Sequence, residues 1–187
     1  MRYSNIPGLL AVAATALMAL AGTASATTVT SSEGSTPNLV LTSTNSEFDG
    51  SFVTFKCVHS KMAGNVENHG PSGTVEGSID SLSFTECNYQ MTVNYGGSLQ
   101  IHPDSSGVTG DGTATWTEGS FTIHTSVGTC TVTTNATTIG TLDGGSPAFL
   151  YINSAKLPRT GGNFLCGSSV TWTGSYRVNS PSTLEVH

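Results

Sequence analysis

Residues 170–178 read VTWTGSYRV. Val170, Trp172, Tyr176 and Val178 fall on one set of alternating positions; Thr171, Thr173, Ser175 and Arg177 fall on the other. Successive side chains of an extended chain point to opposite faces, so this stretch reads as a β-strand with one face on a core and one in water. No segment after residue 37 shows the three-and-four spacing of an amphipathic helix.

The same period recurs on either side. In residues 89–95, YQMTVNY, the apolar residues alternate with polar ones, and Gly96-Gly97 then precede Leu99 and Ile101. That pattern predicts a hairpin turning on the two glycines. Ala114 and Trp116, Glu118-Gly119, then Phe121 and Ile123 predict a second hairpin. Val53, Phe55 and Cys57 share a face, as do Cys130 with Val132 and Phe164 with Cys166. Leu82 and Phe84 share one too, but Cys87 falls opposite them, which calls for a bulge near Thr85-Glu86 or a strand buried on both faces. Turn signals recur at Asp49-Gly50, His69-Gly70-Pro71, Asp111-Gly112, Asp143-Gly144-Gly145 and Ser180-Pro181. Many short strands so punctuated give an all-β class, an antiparallel β-sandwich or barrel-like domain over residues 38–187. A tryptophan at immunoglobulin spacing between two paired cysteines is missing.

The four cysteines, Cys57, Cys87, Cys130 and Cys166, are an even set in phase with apolar neighbours, which reads as two buried disulfides. Three connectivities are open. Cys57–Cys87 with Cys130–Cys166 is favoured because each half then closes its own loop, each bridge stabilising by roughly 3–4 kcal/mol. No Cys-x-x-Cys pair is present and the five histidines are scattered, so no metal is expected.

Residues 1–26 carry Arg2, a short apolar run ending at Leu20 and Ala24-Ser25-Ala26, the layout of a signal peptide. The run is shorter than the roughly 20 residues that span a bilayer. Residues 27–37, TTVTSSEGSTP, are expected to be a flexible Ser/Thr-rich leader with no core to join. Without Arg2, five basic residues face twelve acidic ones, 5 − 12 = −7. Such a chain repels phosphate backbones, so nucleic acid is not an expected partner.

Several motifs invite chemistry. Leu157-Pro158-Arg159-Thr160-Gly161 matches the LPxTG pattern of wall-sorting signals. Residues 162–187, however, hold a cysteine and the clearest strand of the chain rather than a membrane-arresting run and a basic tail. The reading is therefore a proline–glycine turn. Gly144-Gly145-Ser146-Pro147-Ala148 is an incomplete nucleophile elbow, and His59, His69, His102 and His124 lack motif context. Glu76 and Asp80 are the best candidates for paired carboxylates of a glycan hydrolase, and Glu47 with Asp49 the next. Asp104, Asp111 and Asp143 sit in glycine-rich loops, each too isolated to supply the six or more oxygens calcium takes. Trp116, Trp172, Tyr89 and Tyr95 are in phase with a core rather than with a sugar-binding surface. Asn135-Ala136-Thr137 matches a glycosylation sequon.

Cys57 with the glycine-rich stretch after it, GTVEGSIDSLSFTEC ending at Cys87, GTC at Cys130, the stretch from Leu157 to Cys166, and the ending WTGSYRVNSPSTLEV occur in an order that resembles a group of exported actinobacterial proteins. The chain is also similar in texture to bacterial proteins described as activators of alkane oxidation. The first resemblance implies a secreted β-domain with two disulfides and a loop at residues 156–162; it transfers no catalytic residue.

The sequence thus reads as a secreted, extracellular or cell-surface, non-enzymatic structural or binding protein. The ligand expected is an apolar small molecule held between sheets or a surface polymer. Two alternatives stand beside it: a secreted glycan hydrolase using paired carboxylates, and a subunit that self-assembles through strand edges. No catalytic, cofactor-binding or metal-binding residue is assigned, and the chain is not expected to span a membrane once residues 1–26 are removed.

Overall fold

The structure, a computed structural model, describes residues 28–67, 73–104, 110–126 and 128–187. The expected signal segment, the His69-Gly70-Pro71 turn and any role for His69 lie outside them. Fourteen strands succeed one another: β1 Val29–Ser31, β2 Asn38–Ser43, β3 Ser46–Asp49, β4 Thr54–Glu67, β5 Val75–Cys87, β6 Gln90–Asn94, β7 Ser98–Pro103, β8 Gly112–Trp116, β9 Ser120–Thr125, β10 Gly128–Thr133, β11 Thr137–Asp143, β12 Phe149–Gly162, β13 Ser169–Ser180 and β14 Leu184–Val186. Among the described residues a single 3-10 turn, Phe164–Cys166, interrupts them. The all-β class expected from alternation is the class observed. Among the described residues no helix is long and apolar enough to cross a membrane.

Eight antiparallel positions close into a barrel in the order β4, β5, β7, β8, β11, β12, β13 and back to β4. The eighth position is shared end to end. There β3 lies between Thr171–Gly174 of β13 and Thr54–Cys57 of β4, while β2 lies between later residues of β13 and Ser60–Asn65 of β4. The far end of β12 leaves the barrel to pair with β10, which pairs with β9, which pairs with β6. This second layer turns its apolar face onto the barrel interior.

Between the layers sits an aromatic core. Trp172, with 0 % exposure, stacks on Phe48 at 5.4 Å between centroids and meets Phe121 of the second layer edge-on at 5.3 Å. Trp116 meets the same Phe121 at 5.6 Å. The stretch 170–178 behaves as its alternation requires: Val170, Trp172, Tyr176 and Val178 are buried, and Thr173, Ser175 and Arg177 are exposed. The expected bulge near Thr85-Glu86 is not a register shift: Glu86 has a φ of 55°, but β4 and β5 stay in register from Cys57–Cys87 to Ala63–Ser81, and the shift lies opposite Asp80, between Ala63 and Gly64.

Both disulfides join as favoured. Cys57–Cys87 links directly opposed residues of β4 and β5, with Cα atoms 4.0 Å apart. Cys130–Cys166 ties β10 to the 3-10 turn. Asn163 caps that turn, its side-chain oxygen accepting from the Leu165 N–H at 2.9 Å.

Four local expectations are corrected. First, Gly96-Gly97 and Glu118-Gly119 are not hairpin turns. β6 pairs with β9 and β7 with β8, so β6–β7 and β8–β9 run side by side as one long ribbon. Both of its strands bend at these glycines, from the second layer into the barrel. Trp116 drives the bend: its ring packs against Gly119 so closely that a β-carbon there would collide with it, and its indole N–H donates to the Gly96 carbonyl at 2.8 Å. The link between β10 and β11 bends alongside, with Thr134 N–H donating to Gly119 O at 2.8 Å and Ala136 N–H to Thr117 O at 3.0 Å.

Second, Leu157-Pro158-Arg159-Thr160-Gly161 is not a turn but strand. Leu157 is fully buried and opposite Val170, while Arg159 and Gly161 pair with β10. Over residues 155–158 β12 pairs with β13 alone, so the proline occupies a stretch with one unladdered edge. The loop implied for residues 156–162 is absent for the same reason. Third, the leader has a core to join: Val29 is 5 % exposed and β1 pairs with β14, while Pro37 is buried and its carbonyl accepts from Val66 N–H at 3.1 Å. Fourth, Tyr95 is not core; it is 44 % exposed beside the ribbon's bend.

Candidate functional site

Buried side chains occupy the space between the layers, and the clefts described below open on the outer face. Register puts two polar rows there. One crosses six strands as Asp143, Phe149, Arg177, Thr42, Lys61 and Ser83. The neighbouring row runs Thr113, Thr141, Tyr151 and Ser175, and resumes on β4 and β5 at His59 and Thr85. At about 4.8 Å per strand, the first row extends roughly 24 Å along the sheet.

Tyr151 stands in the middle of this surface. Its strand reads Phe149-Leu150-Tyr151-Ile152; Leu150 and Ile152 take the core, so Phe149 and Tyr151 point out. Tyr151 is 37 % exposed, and the Phe149 ring lies near-parallel to it at 5.8 Å and 16°. Phe149 backs one face of the tyrosine. Tyr151 and Asn153 line a common cleft.

This cleft, of about 280 Å³, is lined by Asn45, Glu47, Asn153, Thr173 and Ser175 together with Tyr151. Glu47 is held by Lys56 at 3.0 Å. On the other flank a cleft of about 350 Å³ is lined by Asp104, Asp111, Asp143, Thr113 and Thr141, again with Tyr151. The three aspartates that looked isolated in sequence therefore meet at one cleft. Asp111 accepts from the Gly144 N–H at 2.9 Å. Among the described residues no three acidic, histidine or cysteine side chains are grouped to hold a metal ion.

A third cleft, of about 430 Å³, lies over β2, β4 and β5, lined by the hydroxyl-bearing residues Thr42, Thr44, Ser83 and Thr85 with His59 and Lys61, over the buried Ser43 and Ser60. Beneath its floor, Ser46, Ser60 and Tyr176 close a buried triangle of hydroxyls at 2.8, 3.0 and 2.9 Å. Each can donate once and accept once, so the triangle satisfies itself. Burial pushes the Tyr176 phenol up to about 12, opposed by the hydrogen bonds from Ser46 and Ser60. Ser60 is thus committed inward, and His59, next to it on the strand, points out toward Glu86 at 3.9 Å. The two do not form a nucleophile–base pair.

The remaining candidates are dispersed. Glu76 and Asp80 share the outer face of β5, but four residues of strand separate them by about 13 Å, beyond the 5–10 Å that brackets one glycosidic bond. Neither lines any of the clefts described, and Asp80 is engaged by Ser78 at 2.6 Å. Glu47 and Asp49 also part company: Glu47 joins the tyrosine cleft and Asp49 pairs opposite Thr54 and Thr171. His124 meets Thr92 at 3.2 Å on the second layer, and His102 is exposed on β7. Ser146 donates to the Ser182 carbonyl at 3.1 Å, as a loop tie rather than a nucleophile. Asn135, of the sequon, is exposed at the bend between β10 and β11. Sequence reading missed Tyr151. Its signal was present as an apolar run with both phases filled, Phe149-Tyr151 against Leu150-Ile152, immediately before Asn153-Ser154.

The chain matches no protein-family model, no curated protein sequence and no solved structure.

Proposed function

We propose that this is a secreted, non-enzymatic binding protein that holds a surface polymer, a polyhydroxylated glycan chain, against its outer barrel face at Tyr151. The observation that carries the reading is the tyrosine itself. An exposed ring, fixed from behind by Phe149, is flanked on both sides by hydroxyl, amide and carboxylate side chains. A sugar ring has an apolar C–H face and a polar rim, and this surface offers the complement of both: an aromatic face for the first and short polar groups for the second. The clefts are open and shallow, as suits one segment of a long chain rather than an enclosed small molecule. A filled interior weighs against an apolar ligand between the layers. Two disulfides are compatible with an extracellular setting.

The test is affinity measurement by calorimetry on the disulfide-intact protein with soluble glucans and wall-derived polysaccharides. Binding that weakens about two- to tenfold in Tyr151→Ala, at unchanged thermal stability, is expected, since losing an aromatic stacking partner removes about 0.5–1.5 kcal/mol. Equal binding by wild type and variant, or none by either, contradicts the reading.

A further inference from the structure

Outside the tyrosine clefts, the outer face carries a pair of cations that enter no ion pair among the described residues. Lys61 and Arg177 sit on either side of Thr42 in register, Arg177 opposite Thr42 on β13 and Lys61 opposite it on β4. Two strand spacings, about 9.5 Å, separate their backbones. Both are exposed, and among the described residues neither forms an ion pair. Cations are scarce here, six in the whole chain, and Lys56 is taken by Glu47 and Arg159 donates to the Gly162 carbonyl. Lys156 is exposed and outside these ion pairs as well, but Lys61 and Arg177 are the two that flank one threonine in register.

Their surroundings suit an anion. Thr42 Oγ1 accepts from the Asn179 amide at 2.7 Å, which leaves the hydroxyl proton to donate outward. Ser83 lies opposite Lys61 on the next strand, and Thr44 and Thr85 line the same cleft. His59 adds a third nitrogen group there, partly claimed by Glu86. The row that holds these groups continues through Arg177 to Phe149, the ring that backs Tyr151.

We propose that the cleft over β2, β4 and β5 is an anion subsite, in which Lys61 and the Thr42 hydroxyl of the cleft, together with Arg177 opposite Thr42 on the neighbouring strand, bind a phosphate or carboxylate carried by the same polymer that Tyr151 holds. The inference rests on the polymer-binding reading and makes it specific: the ligand is an anionic polyhydroxylated chain. Its neutral segment lies on the tyrosine and its charged substituent on the cations a few strands away. The protein's overall negative charge opposes such a ligand, so recognition is local and salt-sensitive.

The test uses three soluble probes on the disulfide-intact chain: polyglycerol phosphate, polygalacturonate and an uncharged β-glucan. Proteins compared are wild type, Lys61→Gln/Arg177→Gln and Tyr151→Ala, each checked for folding by its thermal midpoint. Both substituted cations are exposed, so the double variant should fold. Wild type is expected to bind at least one anionic probe roughly tenfold tighter than the glucan. That preference should vanish in the double variant and at about 0.5 M salt, where exposed charges are screened. Preference for polyglycerol phosphate alone assigns phosphate, for polygalacturonate alone carboxylate, and for both, charge without geometry. Equal binding of charged and uncharged probes by wild type, or a preference that survives in the double variant, overturns the subsite and leaves the Tyr151 reading standing. No binding of any probe overturns both.

Discussion

Strand β13 and the ribbon built from β6, β7, β8 and β9 have much the same sequence texture and opposite legibility. Both alternate apolar with polar residues, and both carry glycine. In β13 the alternation gave the right faces for every large residue, and Gly174 merely passes through. In the ribbon, alternation again gave the right faces for Trp116, Phe121 and Ile123, but the glycines gave the wrong connections. Alternation is a property of one chain segment. A glycine reports that the backbone does something unusual, and whether that is a reversal or a bend depends on a partner strand far away in sequence. Here two glycine sites face each other across one ribbon and bend together around Trp116.

Substitutions can break or sharpen this contrast. The largest effect is expected at the shared core. Trp172→Ala empties a fully buried site between Phe48 and Phe121 and should cost about 3–5 kcal/mol, measured by denaturant unfolding of the oxidised protein. If the two layers packed independently, the loss would be much smaller and the unfolding transition would split.

Glycine substitutions in the ribbon come next. A two-residue hairpin turn of the commonest kind needs positive φ at both central residues. In the bend only Gly97 of the pair has it, at 71°. Gly96→Ala should therefore be nearly neutral, within about 0.5 kcal/mol. Gly119→Ala should cost about 1–3 kcal/mol by forcing the Trp116 ring aside. A costly Gly96→Ala beside a neutral Gly119→Ala would restore the hairpin.

The smallest effect concerns β13's own polar anchor. Tyr176→Phe opens the hydroxyl triangle and should cost about 1 kcal/mol at neutral pH. Its sharper signature is alkaline. The folded phenol is raised to about 12 from 10 in the unfolded chain, so the folded state holds more protons in that window. Stability contributed by the neutral phenol is complete below pH 10 and is lost as pH rises toward 12. Unfolding scans from pH 9 to 12 should show a shallower decline in the variant than in wild type.

Legibility in the sequence obeys the same division. Strand faces, the all-β class and the cysteine pairing were legible because they depend on period two and on loop closure within each half. Closure of the barrel was not, since β2 and β3 share one position only because β4 and β13 are long enough to serve both. Pro158 and Gly161 read as a turn by residue type, although Leu157 was already in phase with the core. At the candidate site, Asp104, Asp111 and Asp143 are distant in sequence and meet through the pairing of β8 with β11. Lys61 and Arg177 converge because β2 pairs with both β4 and β13. Tyr151 was hidden by neighbours that fill both phases of its strand.

The most direct test of the central claim is a residue-resolved map of ligand contact, taken from amide chemical-shift changes on titrating the oxidised protein with short anionic glycan fragments. The account predicts changes concentrated at Thr141, Tyr151, Asn153 and Ser175, extending to Thr42 and Lys61, with Trp116, Trp172 and Phe121 unmoved. Changes confined to the aromatic core, or to the second layer around β6 and β9, would contradict it.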